Sequence, residues 1–201
     1  MTDSYKTIKK ESLGYFKDKG SKFLAFAFPV KSEEEIKEIL TRLRKEHHSA
    51  RHHCYAWRLG SEEITFRAND DGEPSSTAGK PILGQLLSFE VTNILIIVVR
   101  YFGGTLLGVS GLINAYKNAA ADVLNNAEII EKIIEKTFQL DFTYNELNDV
   151  MQIIKNENLN ILKTQFEEKC RLWFSVRKSD AERINQIFSN FYGVSIQTKS
   201  E

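Results

Sequence analysis

Ten of the eleven glycines fall between Gly14 and Gly111, all three prolines share that stretch, and only Gly193 lies beyond it. These two residue types make tight turns possible, glycine by allowing positive φ and proline by fixing φ. The last third of the chain therefore turns by different chemistry. With 201 residues there is enough chain for two small domains, each with its own core. The break predicts one domain over 1–132 and a second over 136–201, with "EIIEKIIEK" near the junction as linker or as the start of the next strand.

In the first segment, "YKTIKKESL" and "SKFLAFAFPV" read as strands. The helix over "SEEEIKEILTRLRKEHH" carries its own start signal: Ser32 as N-cap, Glu35 completing a capping box, and Ile36, Ile39, Leu40 and Leu43 on one face. "HHCYAWRLG" and "EITFRAN" predict a strand pair across Gly60, "DDGEPSSTAGKP" a loop, and "ILGQLLSF" a short helix. "NILIIVVRYFGGTLLGVSGLINAYKNAAADVL" predicts a central strand, a glycine corner and a long helix starting near Val109 or Ser110.

In the second segment the apolar period alternates between 2 and 3.6 in the order βαββαβ, with Ser179 as cap of the last helix. That order predicts a ferredoxin-like sandwich, two helices on one face of a sheet. Its aromatic residues, Trp173 among them, are assigned mainly to the core. Exposed aromatics on such a sheet can stack bases, but no stretch matches the RNP pattern.

Twenty-seven basic residues balance twenty-seven acidic ones, so overall charge does not draw the chain to nucleic acid or anionic lipid, though a local basic face stays open. Cys54 and Cys170 form no CxxC pair, which fits a reducing cytoplasm better than a disulfide scaffold. The start "MTDSYKTIKKE" lacks a secretory apolar stretch, and the longest apolar run, Ile94 to Val99, is too short for a bilayer. These features predict a soluble cytoplasmic protein without membrane contact.

The glycine corner invites comparison with phosphate loops. Gly103, Gly108 and Ser110 match the spacing G-x-x-x-x-G-K-[ST], but Val109 stands where the phosphate-binding lysine belongs. Thr105 likewise replaces the second glycine of G-x-G-x-x-G. A weaker anion or RNA-phosphate site survives, built from Arg100, Tyr101, Gly103, Gly104, Ser110 and Lys80 at a helix start. The alternative is that the glycines only permit tight strand–helix packing.

Asp70, Asp71, Gly72 and Glu73 concentrate carboxylates in one loop, as ligand or partner contacts or as turn formers. A calcium loop fails, because Arg67 and Ala78 would occupy its first and last ligand positions. His52 and Cys54 share one strand face, with His53 on the other. Zinc would need a second Cys/His pair, which the chain lacks, so neither metal nor cofactor is expected. A Cys54 nucleophile served by His52 stays open.

Together "SKFLAF", "HHCYAWR", "NDDGEPSSTAGKPIL" and "VVRYFGGTLLGVSGLINAY" resemble the Impact/YigZ family in order and spacing, across most of Ser21 to Tyr116. The remainder looks like the extra C-terminal domain of the bacterial branch. The resemblance implies an α+β protein of two domains. The first is a ribosomal-protein-like (domain-2-type) α/β sandwich with helices on one side of its sheet. The second is ferredoxin-like and similar to a domain of the translocation elongation factor. Bacterial members more usually carry glycine in place of Ser76. Eukaryotic relatives regulate translation by competing for the activator of the amino-acid-starvation kinase.

The resulting expectation is a non-enzymatic binding protein in translation, touching RNA, the ribosome or a translation-related protein, of undetermined oligomeric state. Its surface would combine His52, the Asp70–Glu73 loop and the Arg100–Gly104 corner. The alternative is an enzyme on a small phosphorylated or nucleotide-like substrate, with Asp71 or Glu73 as acid or base and His52 relaying protons.

Overall fold

The computed structural model describes residues 3–199 and divides into two compact units, Tyr5–Lys132 and residues 133–199 together with 3–4. The protein is thus an α+β chain of two domains.

The first unit is organised by strands β1 (Ser4–Ile8), β2 (Ser12–Asp18), β3 (Ser21–Pro29), β4 (His52–Leu59), β5 (Thr65–Asn69), β6 (Ile94–Tyr101) and β7 (Ile129–Ile133). Helices α1 (Glu33–Glu46), α2 (Gly79–Ser88) and α3 (Gly108–Asn125) pack around them. Five strands form an antiparallel sheet in the order β2-β3-β6-β4-β5, and β1 pairs with β7 in a separate ribbon. "YKTIKKESL" therefore is not one strand. It breaks between Ile8 and Ser12, and the chain enters two different sheets.

Strand β6 explains the architecture. Successive side chains of a strand point to opposite faces, so an unbroken apolar run needs cover on both. Ile94, Ile96 and Val98 pack with α2 and α3 residues such as Ile82, Leu112 and Tyr116, while Leu95, Ile97 and Val99 pack with Ile36, Leu40 and Leu43 of α1. Helices consequently lie on both sides of the sheet, not on one as the resemblance implies. Helix α1 starts as its sequence dictates, with Ser32 Oγ accepting from Glu35 N and Glu35 Oε2 accepting from Lys31 N.

The second unit runs β8 (Glu135–Phe142), α4 (Leu147–Asn156), β9 (Asn160–Phe166), β10 (Cys170–Arg177), α5 (Lys178–Ser189) and β11 (Ser195–Lys199). Its antiparallel sheet has the order β11-β8-β10-β9, the ferredoxin-like arrangement. Phe138, Leu140, Leu172 and Phe174 meet Val150, Ile154, Ile184 and Phe188 in its core. Helix α5 begins at Lys178, one residue before the expected Ser179 cap, and has no side-chain cap. Trp173 is half-buried, with Lys163 Nζ 5.1 Å from its ring centroid.

Candidate functional site

The period-2 alternation that orders the sheet also sorts the candidate residues. On β6, Arg100 falls on the α3 face and Tyr101 on the α1 face. On β4, His52 and Cys54 share the α3 face while His53 points toward α1. Tyr101 Oη lies 2.8 Å from His47 Nδ1, at the far side of the sheet from Arg100. Tyr101 thus leaves the anion-binding set.

Arg100 is 7% exposed and Glu73 4%, and the two form a buried ion pair, Arg100 Nη1 donating to Glu73 Oε1 at 2.6 Å. Tyr116, from the middle of α3, donates its hydroxyl to the same oxygen at 2.8 Å. Glu73 Oε2 receives neither donor. The guanidinium carbon sits 5.6 Å from the Phe23 ring centroid and 5.7 Å from that of Phe102, within cation–π reach of both rings. Its Nε is buried without a hydrogen-bond partner among the described residues. Cys54 Sγ continues the chain of contacts, 3.3 Å from Tyr116 Oη and 2.9 Å from the Asp70 carbonyl oxygen. Burial pushes both the Cys54 thiol and the Tyr116 hydroxyl well above their usual ranges. Cys54 also has no exposed surface from which its sulfur could meet a substrate, so it leaves the set of candidate nucleophiles.

The acidic loop is held by its own hydrogen bonds. Asp70 Oδ1 accepts from Ala78 N and Gly79 N, and Oδ2 accepts from Ser76 N, so the carboxylate caps the start of α2 from nine residues away. Burial works against its charge, but these three N–H donors outweigh it and keep the carboxyl below its ordinary range. Asp71 accepts from Arg44 Nη2 at 2.9 Å and from His53 N at 2.7 Å. Both carboxylates are occupied internally, whereas Glu73 keeps one oxygen free of these contacts. Gly72 (φ +87°) lies against the His52 ring. His52 Nδ1 is 2.9 Å from the Asp71 carbonyl oxygen, which can only accept, so in the neutral ring the proton sits on Nδ1 and Nε2 is left as an acceptor.

The glycine corner separates into two roles. Gly103 is a contact point: a Cβ there would lie 1.9 Å from the carbonyl carbon of Gly20, and its N–H already donates to Ser21 Oγ. It therefore drops out as an anion-binding amide. Gly108, at φ +72° with open space before it, turns the chain into α3, which no side chain caps. The free amides at this corner thus belong to the first turn of α3. Gly104 (φ +88°) also faces open space, and Ser110 is exposed on that first turn. Lys80 stands apart, exposed in the first turn of α2, where its charge acts on Asp70.

Beside the buried pair is a cavity of about 500 Å³. Arg51, His52, Glu73 and Arg100 supply its polar wall, and Phe102, Leu106, Leu107, Val109 and Leu112 its apolar one. Arg51, Leu106 and Tyr116 were invisible as site residues in the sequence, and Phe102 lay within the Arg100–Gly104 corner without being singled out. Among the described residues no three His, Cys, Asp or Glu side chains converge as metal ligands, and no helix is long and apolar enough to cross a membrane.

A sheet covered on both faces, a cavity against a buried Arg–Glu pair and a following ferredoxin-like domain define the class: a two-domain α+β protein with a preformed pocket in its first domain. The Impact N-terminal domain matches residues 19–124. An IMPACT family member of Haemophilus influenzae is 33% identical over 82% of this chain and 81% of its own. YvyE of Bacillus subtilis, also an IMPACT family member, is 33% identical over 84% of this chain and 82% of its own. The crystal structure of a hypothetical protein aligns over 100% of both chains at 27% identity and a TM-score of 0.73. The chain belongs to the IMPACT family.

Proposed function

We propose that this chain is a cytoplasmic, non-enzymatic binding protein serving translation or its regulation, and that it holds RNA, the ribosome or a translation-related protein at the cavity of its first domain. Family membership supports the link to translation, through the resemblance to eukaryotic regulators. One observation carries the site: the uncapped start of α3, exposed Arg51 and buried Arg100 line a single cavity, a positive corner ready for an anion. Arg51→Glu tests it, because the change reverses a cavity charge without touching the buried pair. Co-sedimentation with ribosomes at low salt is expected to fall several-fold, and wild-type binding to weaken steeply with added salt. Unchanged pelleting would contradict the proposal.

A second reading, an enzyme on a small phosphorylated or nucleotide-like substrate, is favoured by the convergence of Glu73, His52 and Arg100 on one cavity. His52 Nε2 would serve as base and Glu73 would orient the substrate. Turnover of such a substrate that His52→Gln abolishes would establish it over the binding reading.

A further inference from the structure

We infer that the cavity takes one nucleotide unit, its phosphate at the first turn of α3 and its base against Phe102. The inference rests on the binding reading above and names the ligand of the same site.

Three features of the lining converge on that ligand. The first is charge. Arg51 and Arg100 against Glu73 leave a surplus of one positive charge, and the open end of α3 adds its partial positive charge. A helix start alone does not make a site; here it opens onto a preformed cavity of about 500 Å³ that Arg100 and exposed Arg51 also line. Gly108 keeps the approach open, since no atom lies within 4 Å of where its Cβ would be. A phosphodiester or phosphomonoester matches this end.

The second feature is the hydrogen-bonding sense of the remaining polar wall. Glu73 gathers both of its donors on Oε1, leaving Oε2 as an acceptor, and the Asp71 carbonyl fixes His52 with Nε2 as an acceptor. Acceptors suit the amino and imino N–H groups on the edge of a base. The third is shape. Phe102 is 56% exposed and offers an aromatic face, while Leu106, Val109 and Leu112 continue the apolar wall. Stacking on such a face tolerates any base. The volume of about 500 Å³ suits a mononucleotide. A peptide C-terminus would use the anion end but would leave the aromatic face without a stacking partner.

The test uses the full chain and titrates 5′-AMP, adenosine, inorganic phosphate and a single-stranded RNA dodecamer by calorimetry. 5′-AMP is expected to bind at least tenfold more tightly than adenosine or phosphate. Tighter binding of the dodecamer would assign the site to RNA, and binding of AMP alone to free nucleotide. Val109→Glu puts a carboxylate on the first turn of α3, which favours the helix, so its fold is retained while AMP binding falls about tenfold. Phe102→Ala, at an exposed side chain, lowers AMP binding about tenfold and leaves phosphate binding unchanged.

Equal affinity for AMP and phosphate, or indifference to both substitutions, would overturn the inference. So would displacement of AMP by a peptide ending in a free leucine carboxylate at lower concentration than adenosine. Ribosome co-sedimentation that is lost in Arg51→Glu yet unchanged in Phe102→Ala would overturn the nucleotide assignment and leave the proposed function standing.

Discussion

Replacing Arg100 by Met should destabilise the first domain far more than any surface change. The substitution keeps length and apolar bulk near the Phe23 and Phe102 rings but removes the cation. Glu73 is then a carboxylate at 4% exposure with Tyr116 as its remaining donor in the network. Breaking a buried pair by removing one partner costs about 3–5 kcal/mol, because the surviving charge stays desolvated. That is a large part of the 5–15 kcal/mol by which a domain is stable. Removing both charges, in Arg100→Met with Glu73→Leu, should recover at least about 2 kcal/mol of the loss, since no ion is left buried. Urea unfolding in a Trp173→Phe background reports on the first domain through buried Trp57. A single-variant cost below about 1 kcal/mol, or a double variant no more stable than Arg100→Met, would refute the claim that the pair is mutually dependent.

Gly103→Ala should destabilise much more than Gly104→Ala: the first Cβ would collide with the Gly20 backbone, whereas the second meets open space and bears only the strain of φ +88°, about 1–2 kcal/mol. Denaturant midpoints of the two variants check the order. Burial pushes His53 below its ordinary value, and the Asp71 carboxylate beside it does not offset this. Because the unfolded histidine takes up its proton first, stability should fall as pH drops through about 6.5, and His53→Gln should reduce that slope in urea midpoints measured between pH 7.5 and 5.5. Cys54, buried with its pKa pushed up, should resist alkylation at pH 8 in the native protein and react in urea, as mass spectrometry would read. Ser76 sits at φ +65°, so Ser76→Gly should raise stability by up to about 1 kcal/mol in the same unfolding assay.

The second domain was readable because its apolar period switches cleanly and only one glycine interrupts it, so βαββαβ follows from spacing alone. The capping box of α1 was equally local. The break between β1 and β2 was hidden because "YKTIKKESL" shows no turn-forming glycine or proline. Cover on both faces of the sheet is implied by the unbroken run of β6, yet which helix covers which face depends on chain crossings that no local pattern encodes. At the site, sequence brought out Glu73, His52 and Arg100 as chemical types. The alternation that puts His52 and His53 on opposite faces applies equally to Arg100 and Tyr101, neighbours on β6, but no local pattern shows that backbone amides occupy Asp70. Tyr116 looked like core because it sits among Leu112, Ala119 and Val123 on a helical stripe, and its hydroxyl acquires a role only where α3 passes Glu73.

The most direct test of the central claim, that the α3 corner of the first domain is the binding site, is an amide NMR titration of the full chain with single-stranded RNA. Shifts are expected to cluster at Arg51, His52, Glu73 and residues 102–112, and to vanish in Val109→Glu. Shifts confined to the second domain, or a cluster at the corner that persists in Val109→Glu, would contradict the claim.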